Sequence, residues 1–129
     1  MYFKYNNKMN VKIENKYPDG AIEIGYLNKK IPEGKWKTFY PSGKIKRIAN
    51  YKNGKKAGRW LTFLNASDQT RSFELTTYKN DTKQGLFVRY FPDLISSRGN
   101  YLNGKKQGQW FYYYGTRKIL FKIEQYNNG

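Results

Sequence analysis

Residues 51–60 read Tyr51-Lys-Asn-Gly-Lys-Lys-Ala-Gly-Arg-Trp60, and residues 101–110 repeat them as Tyr101-Leu-Asn-Gly-Lys-Lys-Gln-Gly-Gln-Trp110. Seven of the ten positions are identical. A degenerate copy lies between them, Tyr78-Lys-Asn-Asp-Thr-Lys-Gln-Gly-Leu-Phe87, and a further copy with one extra residue precedes them, Tyr26-Leu-Asn-Lys-Lys-Ile-Pro-Glu-Gly-Lys-Trp36. Self-similarity at a nearly constant spacing predicts a repeat array.

The leading tyrosines of these copies set the period of the array. Their spacings are 25, 27, 23 and 25 residues, for Tyr26, Tyr51, Tyr78, Tyr101 and Tyr126. Such variation indicates loops of different length around a constant unit. We therefore predict one repeat domain over residues 1–129, with units of approximately 1–25, 26–50, 51–77, 78–100 and 101–129.

The segments that lie between Gly, Asn and Pro residues have compositions typical of strands. Tyr, Phe, Trp, Ile, Val and Thr crowd them, whereas Gly, Asn and Pro separate them. Asn53-Gly54 and Asn103-Gly104 fit tight reversals in which both residues need positive φ. Lys29 fits the corresponding position poorly, so the extra residues 31–33 are expected to reroute that connection. The sequence predicts an all-β fold, a single antiparallel sheet of about ten strands arranged as successive hairpins.

Each unit also pairs a glycine with an aromatic residue two positions later. We predict that the aromatic residues and their glycines form the structural core of the repeats, with each ring lying across the bare glycine backbone. An alternative function for the rings is a stacking platform for bases, sugars or a peptide. The eight positions are Gly34 with Trp36, Gly58 with Trp60, Gly85 with Phe87, and Gly108 with Trp110.

The net charge of the chain indicates which kinds of partner it favours. The chain carries 25 Lys and Arg against 9 Asp and Glu, a formal net charge of +16. Such an excess favours polyanions or acidic proteins through long-range attraction. Lysines recur at the connections, where they would line one edge of the sheet as a basic ladder or serve as solvated turn residues that discourage edge pairing. The ladder candidates are Lys29, Lys30, Lys55, Lys56, Lys83, Lys105 and Lys106.

Several functional classes lack support in the composition. The absence of cysteine and histidine excludes disulfides, thiolate zinc sites and an imidazole base. The nine carboxylates are scattered and form no recognisable catalytic or metal-binding motif. We therefore predict a protein that is not an enzyme and that uses no cofactor or metal. Without an apolar leader or a membrane-length apolar stretch, a cytoplasmic location is expected.

Residues 26–126 resemble the MORN repeat, particularly its bacterial variant, with weaker similarity back to residue 17. The family's units read approximately Gly-x-Trp-x-x-Tyr-Tyr-x-x-Gly, then a variable strand, then Tyr-x-Asn-Gly-Lys-x-x-Gly. The strongest copies are residues 51–60 and 101–114. This resemblance implies an elongated, curved sheet of hairpins and a scaffolding or binding role. Eukaryotic relatives are linked to membranes, phospholipids and self-association, and bacterial variants are often labelled antitoxins.

The resulting functional hypothesis is a non-enzymatic binding module of a bacterial protein that recognises an acidic protein partner. An antitoxin or immunity role is one concrete version. The alternative is polyanion binding, to nucleic acid or anionic phospholipid headgroups, through the basic ladder. Tyr112 and Tyr113 are extra aromatic residues beside Trp110, and they are candidates for an exposed contact surface. Assembly of several copies is also open.

Overall fold

The fold is a single antiparallel sheet, seen in a computed structural model that describes residues 10–64, 72–115 and 117–127. The longer polar connection predicted over residues 65–71 lies outside the described residues. Eleven strands form the sheet: β1 Asn10–Lys16, β2 Ile22–Asn28, β3 Ile31–Phe39, β4 Ile45–Lys52, β5 Lys55–Lys56, β6 Gly58–Phe63, β7 Phe73–Lys79, β8 Thr82–Tyr90, β9 Ile95–Leu102, β10 Lys105–Tyr114 and β11 Ile119–Tyr126.

The order of the strands in the sheet follows the order of the chain. Strand β5 pairs only with β4 and is separated from β6 by Ala57, so ten strands form the continuous path from β1 to β11. Every neighbouring pair is antiparallel. The predicted all-β fold of successive hairpins is therefore confirmed.

Two-residue turns stack along one edge of the sheet, which we call the turn edge. In the last three turns, the second residue donates its backbone N–H to a carbonyl next to the preceding turn: Gly54 to Pro32 at 3.0 Å, Asp81 to Lys56 at 3.0 Å, and Gly104 to Lys83 at 2.9 Å. The four turns, all with positive φ at both residues, are Lys29–Lys30, Asn53–Gly54, Asn80–Asp81 and Asn103–Gly104. Each hairpin is thus bonded to the next through its turn as well as through its strands.

The first of these turns differs from the prediction. Lys29 and Lys30 adopt φ of 51° and 68°, and β3 begins directly afterwards at Ile31. The expected rerouting of residues 31–33 is wrong, because Asn28 pairs with Ile31 and Leu27 with Pro32 as in an ordinary tight hairpin. Strand pairing and stacking of the next turn outweigh the cost of left-handed lysines, about 1–2 kcal/mol each.

The register also corrects the assignment of Tyr26. Counted from the turn, Leu27 and Pro32 pair at the same position as Tyr51 and Lys56 and as Tyr101 and Lys106. Leu27 is therefore the equivalent of the repeat tyrosine. A shift of one residue reverses the side-chain direction in a strand, so Tyr26 lies on the other face.

The two faces of the sheet differ in composition. On one, the tryptophan face, large rings alternate across neighbouring strands with small residues, in the order Gly25, Trp36, Ala49, Trp60, Thr76, Phe87, Gly99 and Trp110. On the other, the aliphatic face, Ile24, Ile48, Leu61, Leu75, Val88, Phe111 and Ile123 occupy one register row. In the part of the chain that the structure describes, no helix is long and apolar enough to cross a membrane.

Candidate functional site

The predicted core aromatics lie buried on the tryptophan face. Their exposed fractions are 6% for Trp36, 8% for Trp60, 4% for Phe87 and 1% for Trp110. The rings make edge contacts with the repeat tyrosines, for example 5.1 Å between the ring centroids of Tyr51 and Trp60. Edge-to-face packing of this kind adds to the gain from burial. Rings so enclosed leave no open plane on which a base or sugar could stack.

The repeat glycines have a different role from the one expected. A Cβ added at Gly34 or Gly108 would meet no atom within 4 Å, and the nearest atom to one at Gly85 is Thr77 Cγ2 at 3.6 Å. The prediction that rings lie across Gly34, Gly58, Gly85 and Gly108 is therefore wrong. These residues are glycine because their φ values are +72°, +65°, +98° and +69°, a region that disfavours other residues.

The rings lie instead on small residues of the preceding strand. A Cβ at Gly25 would come within 1.9 Å of the Trp36 ring, and one at Gly99 within 2.3 Å of the Trp110 ring. These small residues were not predicted from the sequence, although a signal for them exists. Each ring has a small residue eleven positions earlier, as the pairs Gly25 and Trp36, Ala49 and Trp60, Thr76 and Phe87, and Gly99 and Trp110 show.

Three of the seven ladder lysines lie over the tryptophan face. Lys56 Nζ is 4.7 Å from the Trp60 ring centroid and 5.0 Å from that of Tyr78. Lys106 Nζ repeats this arrangement at 4.5 Å from Trp110, while Lys83 Nζ is 4.9 Å from Tyr101. A cation held over a ring face is stabilised by the ring quadrupole. These lysines therefore cover the core rings.

The remaining ladder lysines are exposed at the turn edge: Lys29, Lys30, Lys55 and Lys105. A depression of about 420 Å³ beside two of the turns is lined in part by Lys52, Lys55 and Lys79. The predicted ladder is thus divided between ring-covering lysines and solvent-facing lysines. Only the second group is free to meet a ligand at the turn edge.

Tyr112 and Tyr113 lie on opposite faces and so do not form one surface. The Tyr112 hydroxyl donates to Glu124 Oε2 at 2.7 Å on the tryptophan face, while Tyr113 pairs with Ser96 and Leu120 on the aliphatic face. Both are half-buried. Their opposite directions follow from alternation along a strand.

Glu124 organises a polar cluster at the end of the tryptophan face. Its carboxylate accepts hydrogen bonds from Lys122 Nζ at 2.5 Å and from the hydroxyls of Tyr126 and Tyr112. These bonds, that of Lys122 foremost, lower the pKa of Glu124 to about 2, and burial raises the pKa of Tyr112. Glu124 is therefore ionised and the Tyr112 hydroxyl remains protonated at neutral pH.

The aliphatic face is the surface that the sequence analysis did not identify. Its central row consists of Ile48, Leu61, Leu75 and Val88, which are neighbours in register on β4, β6, β7 and β8. All four are half-buried, and no second layer of described residues packs over them. A signal for this row was present, because Leu61, Val88 and Phe111 each directly follow the core aromatic of their unit.

Basic residues bracket the central row. Lys37 pairs with Ile48 at one end, and Arg98 pairs with Val88 at the other. Across the five strand intervals between them, the separation is about 24 Å. Both residues are exposed, as are Lys12, Lys35 and Arg59 on the same face, and none of these five forms an ion pair with another described residue.

The described residues offer no arrangement suited to metal chemistry. Within residues 10–64, 72–115 and 117–127, no group of three or more Asp or Glu side chains could hold a metal ion. The best-connected carboxylates, Glu74 and Glu124, bond to Arg89 and Lys122.

No protein-family model matches this chain, and no curated protein matches it significantly. Membership of the MORN family stays a prediction that rests on the repeat residues themselves.

Proposed function

We propose that the protein is a non-enzymatic binding module that recognises an acidic protein partner through the aliphatic face. The observation that carries the proposal is the central row of Ile48, Leu61, Leu75 and Val88, left uncovered between Lys37 and Arg98. An apolar strip between cations that pair with no described carboxylate suits a partner segment with an apolar stripe and flanking carboxylates. Apolar contacts then provide affinity, and the charges provide orientation and a faster association rate.

A second copy of the chain fits this surface less well. Two copies would each bring a net charge of +16, and face-to-face contact would place Lys37 and Arg98 against a similarly basic surface. Like charges at an interface oppose association. We therefore favour a different, acidic protein over assembly of several copies.

The MORN resemblance suggests a more specific version of this proposal. In a bacterial, cytoplasmic setting, an acidic toxin domain could be the partner, and the module would act as its antitoxin or immunity protein. That version depends on the resemblance alone, whereas the proposal of an acidic partner depends on the composition of the aliphatic face.

The test replaces the central row while preserving strand propensity. The variant Leu61→Thr/Leu75→Thr keeps residues that favour strands but removes apolar surface, and Leu102→Thr is a matched control near the turn edge. Proteins captured from the native host are purified, and their dissociation constants are measured by calorimetry at physiological salt. Circular dichroism and thermal unfolding verify that each variant is folded.

We expect the double variant to weaken binding of an acidic partner by about tenfold or more, because two apolar contacts of about 1 kcal/mol each are lost. Leu102→Thr should bind as the wild type does. If every captured partner binds the double variant with unchanged affinity, the aliphatic face is not the binding surface and the proposal is wrong.

Polyanion binding remains the second candidate, and the depression lined by Lys52, Lys55 and Lys79 favours it. The exposed lysines of the turn edge should then carry the contacts. Lys55→Gln/Lys105→Gln would reduce the salt dependence of binding to DNA, RNA or anionic vesicles, since fewer counterions are released. An unchanged salt dependence would remove the turn edge from consideration.

A further inference from the structure

A depression at the β1 end of the aliphatic face has the composition of an anion site. Ile24 and Tyr26 of β2 line it, Lys12 of β1 forms one side, and Lys35, Lys37 and Phe39 of β3 form the other. We call it the lysine cup. Its volume is about 420 Å³, within the size range of small-ligand sites.

The ammonium groups of the cup form no ion pair with a carboxylate in the part of the chain that the structure describes. The carboxylates nearest in register are engaged elsewhere: Glu14 contacts Lys16 at 3.8 Å, and Glu33 accepts a hydrogen bond from the Asn53 N–H at 2.8 Å. No carboxylate lines the cup among the described residues. Three like charges on one depression repel one another, and an entering anion would relieve that repulsion.

The cup is also where the chain departs from its own repeat. Lys37 takes the position that Leu61, Val88 and Phe111 fill in the later units, one residue after the core aromatic. Tyr26 takes the position of Asn50, Thr77, Asn100 and Gln125, one residue before the repeat tyrosine or its equivalent. Packing of the array requires neither residue there, since the other units pack without them. Two such departures meeting in one depression point to a binding role.

The lining selects the kind of anion. Phe39, Tyr26 and Ile24 supply apolar and aromatic surface beside the lysines, and Lys37 adjoins Ile48, the first residue of the central row. We propose that the lysine cup binds a carboxylate of the acidic protein partner together with an adjacent apolar or aromatic side chain. This inference rests on the proposed function, because a single partner segment would reach from the cup onto the row.

The test uses a minimal probe that needs no knowledge of the partner. The capped dipeptide Ac-Glu-Phe-NH2 is titrated into the full-length ¹⁵N-labelled protein, with Ac-Gln-Phe-NH2 as the uncharged control and phenyl phosphate as the phosphate probe. Chemical-shift changes locate the site and give a dissociation constant. We expect saturable changes for the glutamate peptide that centre on residues 12, 24–26 and 35–39.

Variants separate the cup from general electrostatics. Lys35→Gln/Lys37→Gln and Lys55→Gln/Lys105→Gln remove the same charge, but only the first pair lines the cup. We expect dipeptide binding to be about fivefold weaker for the first pair, as the loss of two solvated ion pairs would give. The second pair should bind the dipeptide as the wild type does. Lys37→Leu restores the residue found at position 61, so it should fold well and still weaken binding.

Each result has a defined meaning. The inference would be overturned if Lys35→Gln/Lys37→Gln left the dissociation constant of the glutamate peptide unchanged. Chemical-shift changes centred away from the cup would also overturn it. Tighter binding of phenyl phosphate than of the glutamate peptide would replace the carboxylate with a phosphate as the ligand. Leu61→Thr/Leu75→Thr should leave dipeptide binding intact, so the cup can be confirmed even if the central row proves not to bind a partner.

Discussion

Gly25 and Gly99 lie under the rings of Trp36 and Trp110, while Ala49 and Thr76 hold the same positions beside Trp60 and Phe87. The residue beneath each ring is thus small, and the largest of them, Thr76, lies beside the smallest ring. The rings were correctly predicted from the sequence to be core residues. The glycines predicted to lie beneath them were the wrong ones. Each ring contacts a small residue on the neighbouring strand, so the contact depends on the pairing register. A search for local motifs does not reveal that register.

Substitution of the two kinds of glycine should separate their roles. Gly99→Ala places a Cβ 2.3 Å from the Trp110 ring, whereas Gly108→Ala meets no atom and only strains a backbone with φ of +69°. We expect losses in the free energy of unfolding of about 3 kcal/mol and about 1 kcal/mol, respectively. Chemical denaturation measures both. Equal losses would show that Trp110 can shift without cost.

The ring-covering lysines allow a second prediction at this scale. Lys56→Gln/Lys106→Gln removes ammonium groups that lie 4.7 Å and 4.5 Å from the Trp60 and Trp110 ring centroids. We expect a loss of about 1–2 kcal/mol in the free energy of unfolding, because each lysine loses its cation–π contacts with a tryptophan and a tyrosine. The exposed pair in Lys55→Gln/Lys105→Gln should cost little by comparison. If Lys55→Gln/Lys105→Gln lowered the melting temperature more than Lys56→Gln/Lys106→Gln, the lysines over the rings would not stabilise the fold.

Among the structural elements, some of the tight turns could be predicted from the sequence and one could not. Asn53–Gly54 and Asn103–Gly104 were predicted from residue type and have positive φ at both positions. Lys29–Lys30 forms an equivalent turn with no such residue signal. There, pairing of β2 with β3 and the Gly54 N–H bond to Pro32 determine the conformation, so tertiary context overrides local preference.

Strand β11 gives a prediction that depends on pH. The pKa of Glu124 falls from its ordinary 4.5 to about 2 through its bonds to Lys122, Tyr126 and Tyr112. A lowered carboxyl pKa contributes stability that is complete above pH 4.5 and disappears as the pH falls through about 2. Glu124→Gln should therefore unfold at a lower temperature than the wild type at pH 7.

The control for this prediction is the same comparison in acid. The difference in melting temperature between wild type and Glu124→Gln should shrink steadily below pH 4.5 and be nearly gone close to pH 2. A difference that stays constant across this range would mean that the carboxylate charge does not stabilise β11.

On the scale of the whole molecule, the sequence predicted the hairpin array and its basic character but not the contrast between its faces. The aliphatic row draws one residue from each strand, so its members are about 13 to 14 residues apart between Ile48, Leu61, Leu75 and Val88. Spacings of that length carry no local periodicity. Only the pairing register shows that these residues adjoin, and that Lys37 and Arg98 bracket them.

Salt should distinguish the two functional candidates for the intact protein. With a net charge of +16, some attraction to any polyanion is expected at low ionic strength. If an acidic protein is the partner, binding to generic DNA, RNA or anionic vesicles should be lost near physiological salt, where screening acts within about 8 Å. The protein complex should persist through its apolar contacts. Tight, salt-tolerant binding to a nucleic acid or lipid would contradict this expectation.

The order of strands along the chain has a mechanical consequence. Because β1 and β11 lie at opposite ends of the sheet, tension applied between them acts across the strands and loads the hydrogen bonds of one hairpin at a time. A released hairpin of about 25 residues adds roughly 80–90 Å of extended chain. We expect optical-tweezer traces to lengthen in successive low-force steps, and a single high-force rupture would contradict this. The molecule would then behave as a stepwise extensible tether.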